Sequence, residues 1–451
     1  MKRREFVKSS LAVGAATILS NPKSARGAVA NERLRLGLIG CGARSDRVCS
    51  DMLHHPGDDV RFEYCCDVNI PNAENRAKQL TRDDVAPKIV QDARAVLDDK
   101  AVDAVVLITP DHWHALHTVW ACQAGKDVYV EKPLSKSPFE GLQMTAAAKK
   151  YGRVVAAGNQ TRSAEYCRNA KKLIQEGFLG DIEFVRVNNI WSDQPPTVQT
   201  GVSVPQGLDW DRWLGPAPYR EYSPTYTSSL VWGYFWDFGN GLLATQGVHQ
   251  IDIARWILGL KTPRSCYTAG GLDKKRLEDM TPTTSSTVFD FGSLIMNVEQ
   301  TMRCPHMLET DWEVRESDMH PYWFQNSTRI EIFGSKYLMV IGRLGAGWQI
   351  FDRTKQRQPV VKSQEYGNYS RLHLAHTNDF IDAVRERRET NSSVEECRLS
   401  TLLVQYANIS LRAGGVKLEI DEKTGEITNC PEARRFWRPE FRKEYDVPEI
   451  K

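Results

Sequence analysis

The sequence predicts an α/β protein in which a doubly wound parallel sheet is followed by an α+β domain with a mostly antiparallel open sheet. In the first 160 residues, short apolar runs alternate with helical patterns, which is typical of a parallel sheet. In residues 284–302, 328–341 and 347–352, apolar and polar residues alternate with no helical pattern between them, which indicates antiparallel strands. The 451 residues are 41% hydrophobic and 26% charged, a composition that excludes collagen-like, coiled-coil and fully disordered chains.

The first thirty residues have the features of a targeting segment. Arg3 and Arg4 begin the run RREFVK, which is similar to the twin-arginine export motif that carries folded proteins. An apolar stretch over 9–19 and small residues at 28–30 predict a signal peptide over 1–30, cleavage before Asn31 and export to the periplasm. An ordinary secretory leader or a disordered tail is the alternative. No stretch approaches about 18 apolar residues, so we expect no stable membrane anchor.

Charge and cysteine content exclude several classes of partner. The leader carries six basic residues and one acidic residue, and the remaining chain has 53 basic against 56 acidic residues, a net charge of −3. Such a body has no excess of positive charge for nucleic acid. The ten cysteines form no CxxC pair and no zinc spacing, so we interpret them as small buried side chains and predict no metal site. A disulfide formed in the periplasm is the alternative that the sequence does not exclude.

A glycine-rich turn follows the first predicted strand. The apolar run 34–39 ends at Gly40, and Gly42 precedes a helical pattern that starts at Ala43 and continues to about residue 55. Gly40 permits a tight turn, Gly42 lets the backbone approach a pyrophosphate, and the helix N-terminus offers free N–H groups. Ser45 stands where a third glycine is usual.

The second predicted strand, residues 60–66, ends at Asp67. An acidic side chain at this point accepts hydrogen bonds from ribose hydroxyls and repels a 2′-phosphate, so NAD is favoured over NADP. The alternative is a helix-capping aspartate. Further strands are expected at 101–108, 127–130 and 154–157, and further helices at 112–124 and 137–151. Thr109-Pro110 and Glu131-Lys132-Pro133 then lie with Gly40 and Asp67 at the carboxyl edge of one sheet, where such sheets bind ligands.

This combination of motifs resembles the Gfo/Idh/MocA family of NAD(P)-dependent sugar and polyol oxidoreductases. The resemblance implies a Rossmann domain over 31–158 and a catalytic role for Lys132 beside the nicotinamide. A nearby nicotinamide charge and partial burial also lower the pKa of a lysine toward the range of a general base. Because the family's pattern explains His114, we set aside a metal site at His112-Trp113-His114-Ala115-Leu116-His117. The expected cofactor-binding residues are Gly40, Gly42, Ala43, Arg44, Asp67, Thr109, Pro110, His114, Glu131 and Lys132.

The second half is predicted to form a substrate and oligomerisation domain over 159–430, followed by a surface tail over 431–451. Helices are expected at 164–177, 376–388 and 396–413, and a strand at 181–191. The tryptophan-rich residues 191–236 either stack on sugar rings or form a core of their own. The expected substrate residues are Gln160, Arg162, Trp236, Thr245 and His249.

The segment 239–252 is a second family landmark. His249 matches the family's catalytic histidine, whereas Asp252 is expected to be structural. Many family dehydrogenases carry aspartate where this chain has Thr245. The resemblance thus implies an exported oxidoreductase that moves a hydride between a carbohydrate hydroxyl carbon and tightly bound NAD, and a homo-oligomer, either dimer or tetramer. The alternatives are an NAD-dependent glycosidase that oxidises its substrate transiently and, less favoured, a non-catalytic sugar-binding protein.

Overall fold

The computed structural model describes residues 33–57, 60–191, 196–271, 278–303, 326–354, 359–363 and 369–451. The predicted targeting segment lies outside these ranges. Within them, no helix combines the length and apolar character that crossing a bilayer requires.

The first half forms a six-stranded parallel sheet with the strand order β3-β2-β1-β4-β5-β6. Its central strands are buried on both faces because helices cover each side, which explains their continuous apolar sequences. The predicted doubly wound parallel sheet is therefore confirmed. The strands are β1 (Leu34–Ile39), β2 (Val60–Cys66), β3 (Lys88–Val90), β4 (Ala104–Leu107), β5 (Asp127–Val130) and β6 (Val155–Ala157).

Five helices connect these strands. Two of them, over 70–80 and 93–98, were not predicted, because the first has few apolar residues and the second is only 6 residues long. Ser137 caps the fifth helix in a reciprocal capping box with Glu140, which fixes where that helix begins after the Glu131-Lys132-Pro133 turn. The helices are α1 (Ala43–Leu53), α2 (Ile70–Leu80), α3 (Ala93–Asp98), α4 (Asp111–Gln123) and α5 (Pro138–Lys150).

The second half forms a nine-stranded sheet with the order β14-β13-β12-β11-β7-β10-β9-β8-β15. Only the β7–β10 pair among these described strands is parallel, so the expectation of a mostly antiparallel sheet is confirmed. The strands are β7 (Ile182–Ile190), β8 (Ser265–Gly270), β9 (Thr284–Asp290), β10 (Ile295–Thr301), β11 (Thr328–Gly334), β12 (Leu338–Gly342), β13 (Trp348–Phe351), β14 (Val361–Lys362) and β15 (Leu418–Glu419).

The helices of the second half serve both sheets. The long helix over 369–386 begins seven residues earlier than expected and buries Phe380 and Ile381 against the first sheet. Segments distant in sequence therefore complete the core of the first half. The helices are α6 (Glu165–Gln175), α7 (Trp210–Leu214), α8 (Pro224–Thr227), α9 (Val248–Ile257), α10 (Tyr369–Glu386), α11 (Val394–Arg412) and α12 (Arg434–Trp437).

Candidate active site

A cavity of about 770 Å³ runs along the carboxyl edge of the first sheet and is closed on its other side by the second half of the chain. The predicted residues that line it come from six separate segments. They are Gly40, Gly42, Arg44, Asp67, Thr109, Pro110, Glu131, Lys132, Gln160, Thr245 and His249, with Ala43 beside them in the glycine turn.

The glycine turn has the geometry of a phosphate cradle. Gly40 has φ +94°, and a Cβ there would lie 2.4 Å from the carbonyl oxygen of Ile108, so a side chain is excluded. A Cβ at Gly42 would meet no atom within 4 Å, which leaves open space in front of the N-terminus of α1. Ser45 is buried, and its Oγ donates to the Gly42 carbonyl at 2.6 Å. The turn therefore accommodates a pyrophosphate at the helix N-terminus.

Asp67 stands at the end of β2 with its carboxylate facing the same cavity. One carboxylate oxygen accepts from the Cys41 N–H at 2.7 Å and the other from the Asn69 N–H at 2.8 Å. The Asn72 side chain also hydrogen-bonds this carboxylate, which still has acceptor capacity for a ribose hydroxyl. Burial raises the pKa of Asp67, while the two backbone N–H groups oppose that shift.

Glu131 and Arg44 form an ion pair on the floor of the cavity. The Arg44 Nε donates to Glu131 Oε1 at 2.7 Å, and the carboxylate is buried. Burial alone would raise the pKa of Glu131, but the charges of Arg44 and Lys132 outweigh it and hold that pKa below its usual value. Glu131 is thus an anion that orients its neighbours.

Lys132 is a basic residue that lines the cavity. Its side chain is partly buried, and its Nζ donates to the carbonyl oxygen of Thr245 at 2.6 Å. Burial lowers the pKa of Lys132 to about 8, against the raising effect of Glu131 and Asp111. An amine with this pKa exchanges protons near neutral pH, which is the property of a general base.

His249 lies on the opposite half of the chain, in the first turn of α9, and lines the cavity with Lys132. Burial is the main cause that lowers the pKa of His249 well below its usual value, and the positive charges of Lys132 and Arg343 lower it further. The imidazole is therefore neutral. Among the described residues, its Nδ1 has no hydrogen-bond partner. Thr245 precedes His249 by four residues. The hydrogen bond from Lys132 to Thr245 therefore joins the two halves of the chain close to His249 in sequence.

Three predicted site residues do not line the cavity. The Arg162 guanidinium pairs with Asp252, with Nη2 2.6 Å from Oδ1, and both side chains are inaccessible, so their ion pair is structural. Trp236 is buried 4.5 Å from the Arg412 guanidinium. His114 has both ring nitrogens 2.8 Å from carbonyl oxygens, those of Thr109 and Pro133, and so links two strand-end loops. The structure therefore places these three side chains outside the cavity lining, and their assignment as ligands stays a prediction.

Other cavity residues were not predicted. Arg343, at the end of β12, lies 4.5 Å from the Trp191 ring and donates to Gln246. Tyr369, which lies before the helix that was expected to start at 376, and Tyr445 of the tail also line the cavity. These residues lie in irregular segments or at element ends, where the sequence has no periodic pattern to reveal them.

In the described ranges, no group of three or more His, Cys, Asp or Glu side chains is arranged to hold a metal ion. His112 and His117 are buried, and burial lowers the pKa of each to about 3. Nine described cysteines are buried free thiols.

Comparison with protein families gives the class of this molecule. Residues 34–159 match the oxidoreductase family with an NAD-binding Rossmann fold, and residues 164–268 match the C-terminal alpha/beta domain of the same oxidoreductase family. The chain belongs to the Gfo/Idh/MocA oxidoreductases.

Its curated relatives include scyllo-inositol 2-dehydrogenase (NADP(+)) of Bacillus subtilis, 29% identical over 35% of this chain and 42% of the relative. D-glucoside 3-dehydrogenase of Escherichia coli is 24% identical over 53% of this chain and 58% of the relative. The chain matches less than half the length of the first three relatives, at 42%, 43% and 44%. Among solved structures, levoglucosan dehydrogenase in complex with NADH and levoglucosan aligns with a TM-score of 0.62 and 18% identity, over 86% of this chain and 99% of that one.

Proposed function

We propose that the chain is an exported NAD-dependent oxidoreductase that moves a hydride between a nicotinamide coenzyme and a hydroxyl-bearing carbon of a sugar, polyol or glycoside. The observation that carries this proposal is the single cavity that holds the glycine turn, Asp67, Lys132 and His249. Relatives named for oxidation of inositol and of a glucoside support the substrate class. The RREFVK leader supports export to the periplasm.

The residues present fit a nicotinamide dinucleotide. The open space before Gly42 admits a pyrophosphate, and Asp67 retains lone pairs for a ribose. When bound, the coenzyme supplies the hydride acceptor. Lys132, with its pKa of about 8, takes the hydroxyl proton as the carbon loses its hydride. Neutral His249 hydrogen-bonds the same oxygen and orients it.

The charges around Asp67 favour NAD over NADP. A carboxylate here repels a 2′-phosphate. The two nearby arginines that line the cavity are already engaged by another carboxylate: Arg94 binds Asp92 at 2.8 Å, and Arg212 lies 3.6 Å from it. These arginines therefore offer little charge to a 2′-phosphate.

Thr245 supports a second class of reaction as the alternative to net dehydrogenation. Its Oγ1 is buried without a hydrogen-bond partner among the described residues, and a hydroxyl cannot hold the charge of the aspartate that is common at this position. A glycosidase that oxidises its substrate transiently gives the same proton to a base in this step and regains it when the hydride returns, so its full cycle releases no net proton. Release of an aglycone without net redox change would identify this alternative.

The test is an assay of purified protein that begins at Asn31, with its bound nucleotide identified after denaturation. A panel of sugars, polyols and glycosides is then supplied, and reduced nicotinamide, carbonyl product and free aglycone are measured. We expect a carbohydrate-dependent reduction of the coenzyme that is lost in Lys132→Met. A protein that neither contains nor binds a nicotinamide nucleotide contradicts the proposal. Light scattering of the same preparation tests the proposed dimer or tetramer, which the open second sheet is expected to support.

A further inference from the structure

A second, much smaller cavity lies beside His249. Its volume is about 10 Å³, and we call it the rear cavity. Its polar lining consists of Thr161 in the turn after β6, His249 and Gln250 in the first turn of α9, and Arg343 at the end of β12. Because His249 also lines the large cavity, its imidazole lies between the two spaces.

Three side chains around the rear cavity carry buried polar atoms that make no hydrogen bond to the described residues. These atoms are the His249 Nδ1, the Thr161 Oγ1, and both the nitrogen and the oxygen of the Gln250 amide. Each of the three residues is at most 7% exposed. Buried polar groups are rarely left unsatisfied, because each has given up its hydrogen bonds to bulk water. Four such atoms around one small space indicate that a polar molecule binds there.

The size and the chemistry of the rear cavity fit a single water molecule. A buried water needs about 10–15 Å³ of space and about two to four polar partners. The ring nitrogen, the hydroxyl and the amide together offer both donors and acceptors. No carboxylate or thiol is among the described residues that line this cavity, and Arg343 adds a positive charge, so the lining does not suit a metal cation.

The charge of Arg343 determines how a water in the rear cavity is oriented. A cation attracts the oxygen of a neighbouring water and directs its hydrogens toward acceptors on the other side. The neutral His249 ring has one acceptor nitrogen, and Nδ1 is its inaccessible nitrogen. The water therefore donates to Nδ1, and Nε2 is the nitrogen that faces the large cavity.

We propose that a water molecule in the rear cavity, held by Thr161 and Gln250, donates a hydrogen bond to His249 Nδ1 and so keeps the proton of the imidazole on Nε2. This inference rests on the proposed function. The ring nitrogen that faces the large cavity is then an N–H donor, because the bond made by one nitrogen sets which nitrogen is protonated. Thr161 and Gln250 are thus positioning residues that act through His249.

The fixed tautomer divides the work between the two residues at the proposed reacting end. The hydroxyl proton goes to Lys132, and the C–H bond breaks as its hydrogen and electron pair go to the nicotinamide. The His249 N–H keeps its own proton and donates a hydrogen bond to the reacting oxygen. That oxygen gains negative charge as its proton leaves, so a donor aimed at it stabilises the transition state. Lys132 is then the base, and His249 is not.

Two measurements on the wild-type protein without substrate test the water and the tautomer. A high-resolution crystal structure should show a water within hydrogen-bonding distance of His249 Nδ1 and Thr161 Oγ1. Nitrogen-15 NMR of histidine-labelled protein, with His249→Phe to identify the signals, should show the proton on Nε2. A dry rear cavity, or a proton on Nδ1, would overturn the inference.

Thr161→Val removes the hydroxyl and keeps the shape of the side chain. We expect the water to be lost, the tautomers of His249 to become mixed, and single-turnover hydride transfer to slow about tenfold, in kcat rather than in KM. Thr161→Ser keeps the hydroxyl and should restore most of the rate. Thr118→Val is the matched control, because the Thr118 Oγ1 is also buried without a partner among the described residues but lines neither cavity.

The outcomes separate the failure of this inference from that of the proposed function. Carbohydrate-dependent reduction of the coenzyme together with a dry rear cavity would overturn the inference and leave the proposed function intact. Hydride transfer in Thr161→Val as fast as in the wild type would do the same. A bound water and a proton on Nε2, with no carbohydrate-dependent reduction, would overturn the proposed function and with it the role of His249 as a donor to the reacting oxygen.

Discussion

The two ends of the cavity differ in how they are built. At the proposed coenzyme end, Gly40, Gly42 and Asp67 belong to one strand–turn–helix–strand unit, and backbone N–H groups of Cys41 and Asn69 hold the Asp67 carboxylate. At the proposed reacting end, Lys132 and His249 come from different halves of the chain, and Lys132 donates to the carbonyl of Thr245, four residues before His249. The coenzyme end is thus a local property of one motif, whereas the reacting end depends on how the two halves pack.

Lys132→Met is expected to have the largest effect, because it should lower the rate at the proposed reacting end without changing nucleotide binding at the proposed coenzyme end. This variant keeps an apolar stem of similar length and removes the amine, so the rate of carbohydrate oxidation should fall by about 10²–10⁴-fold. Bound nucleotide should stay at the wild-type level, because the glycine turn and Asp67 are unchanged. Nucleotide content and single-turnover rate measure the two quantities separately. An unchanged rate would show that Lys132 is not the base.

Arg162→Leu tests whether Arg162 stabilises the fold or binds the substrate. The variant leaves Asp252 buried without its bidentate partner, which should cost about 3–5 kcal/mol in the free energy of unfolding. Urea denaturation measures the loss, and Arg388→Gln, whose partly exposed ion pair should contribute about 0–1 kcal/mol, is the control. A raised KM with unchanged stability would restore Arg162 to the substrate site.

Asp67→Ser tests whether the Asp67 carboxylate binds the ribose of the coenzyme and repels a 2′-phosphate. Loss of the carboxylate removes hydrogen-bond acceptors for the ribose, so the affinity for NAD should fall about 10–100-fold. It also removes the charge that repels a 2′-phosphate, so the ratio of NAD affinity to NADP affinity should decrease. Calorimetric titration of nucleotide-free protein with each coenzyme gives both values. Equal loss of affinity for NAD and NADP would argue against contact between Asp67 and the ribose.

Thr245→Asp is expected to produce the smallest of these effects. An added carboxylate close to Lys132 stabilises its ammonium form and should raise its pKa by about one unit. Because the base acts in its neutral form, the rise of rate with pH, expected near pH 8 in the wild type, should move to higher pH. The pH profile of the single-turnover rate checks this shift, with Thr245→Asn as the uncharged control. A profile that does not move would place the new carboxylate away from Lys132.

The sequence was sufficient to predict the fold, and it also predicted that Gly40, Asp67 and Lys132 lie close together. These residues line one cavity because the carboxyl ends of parallel strands meet at one edge of the sheet. The buried ion pair of Arg162 was not predicted, because a motif position gives no information about a partner ninety residues away, here Asp252. Tyr445 was missed for the same reason, as its position depends on a tail that packs back onto Trp113.

The central claim is that Lys132 and His249 act on one reacting centre although they come from different halves of the chain. A double-mutant cycle of Lys132→Met and His249→Phe, followed by single-turnover hydride transfer, measures it most directly. Residues that act as a unit are non-additive, so the double variant should be only slightly slower than Lys132→Met, with a coupling of about 1 kcal/mol or more. Fully additive losses would show that the two side chains work independently and would contradict the shared site.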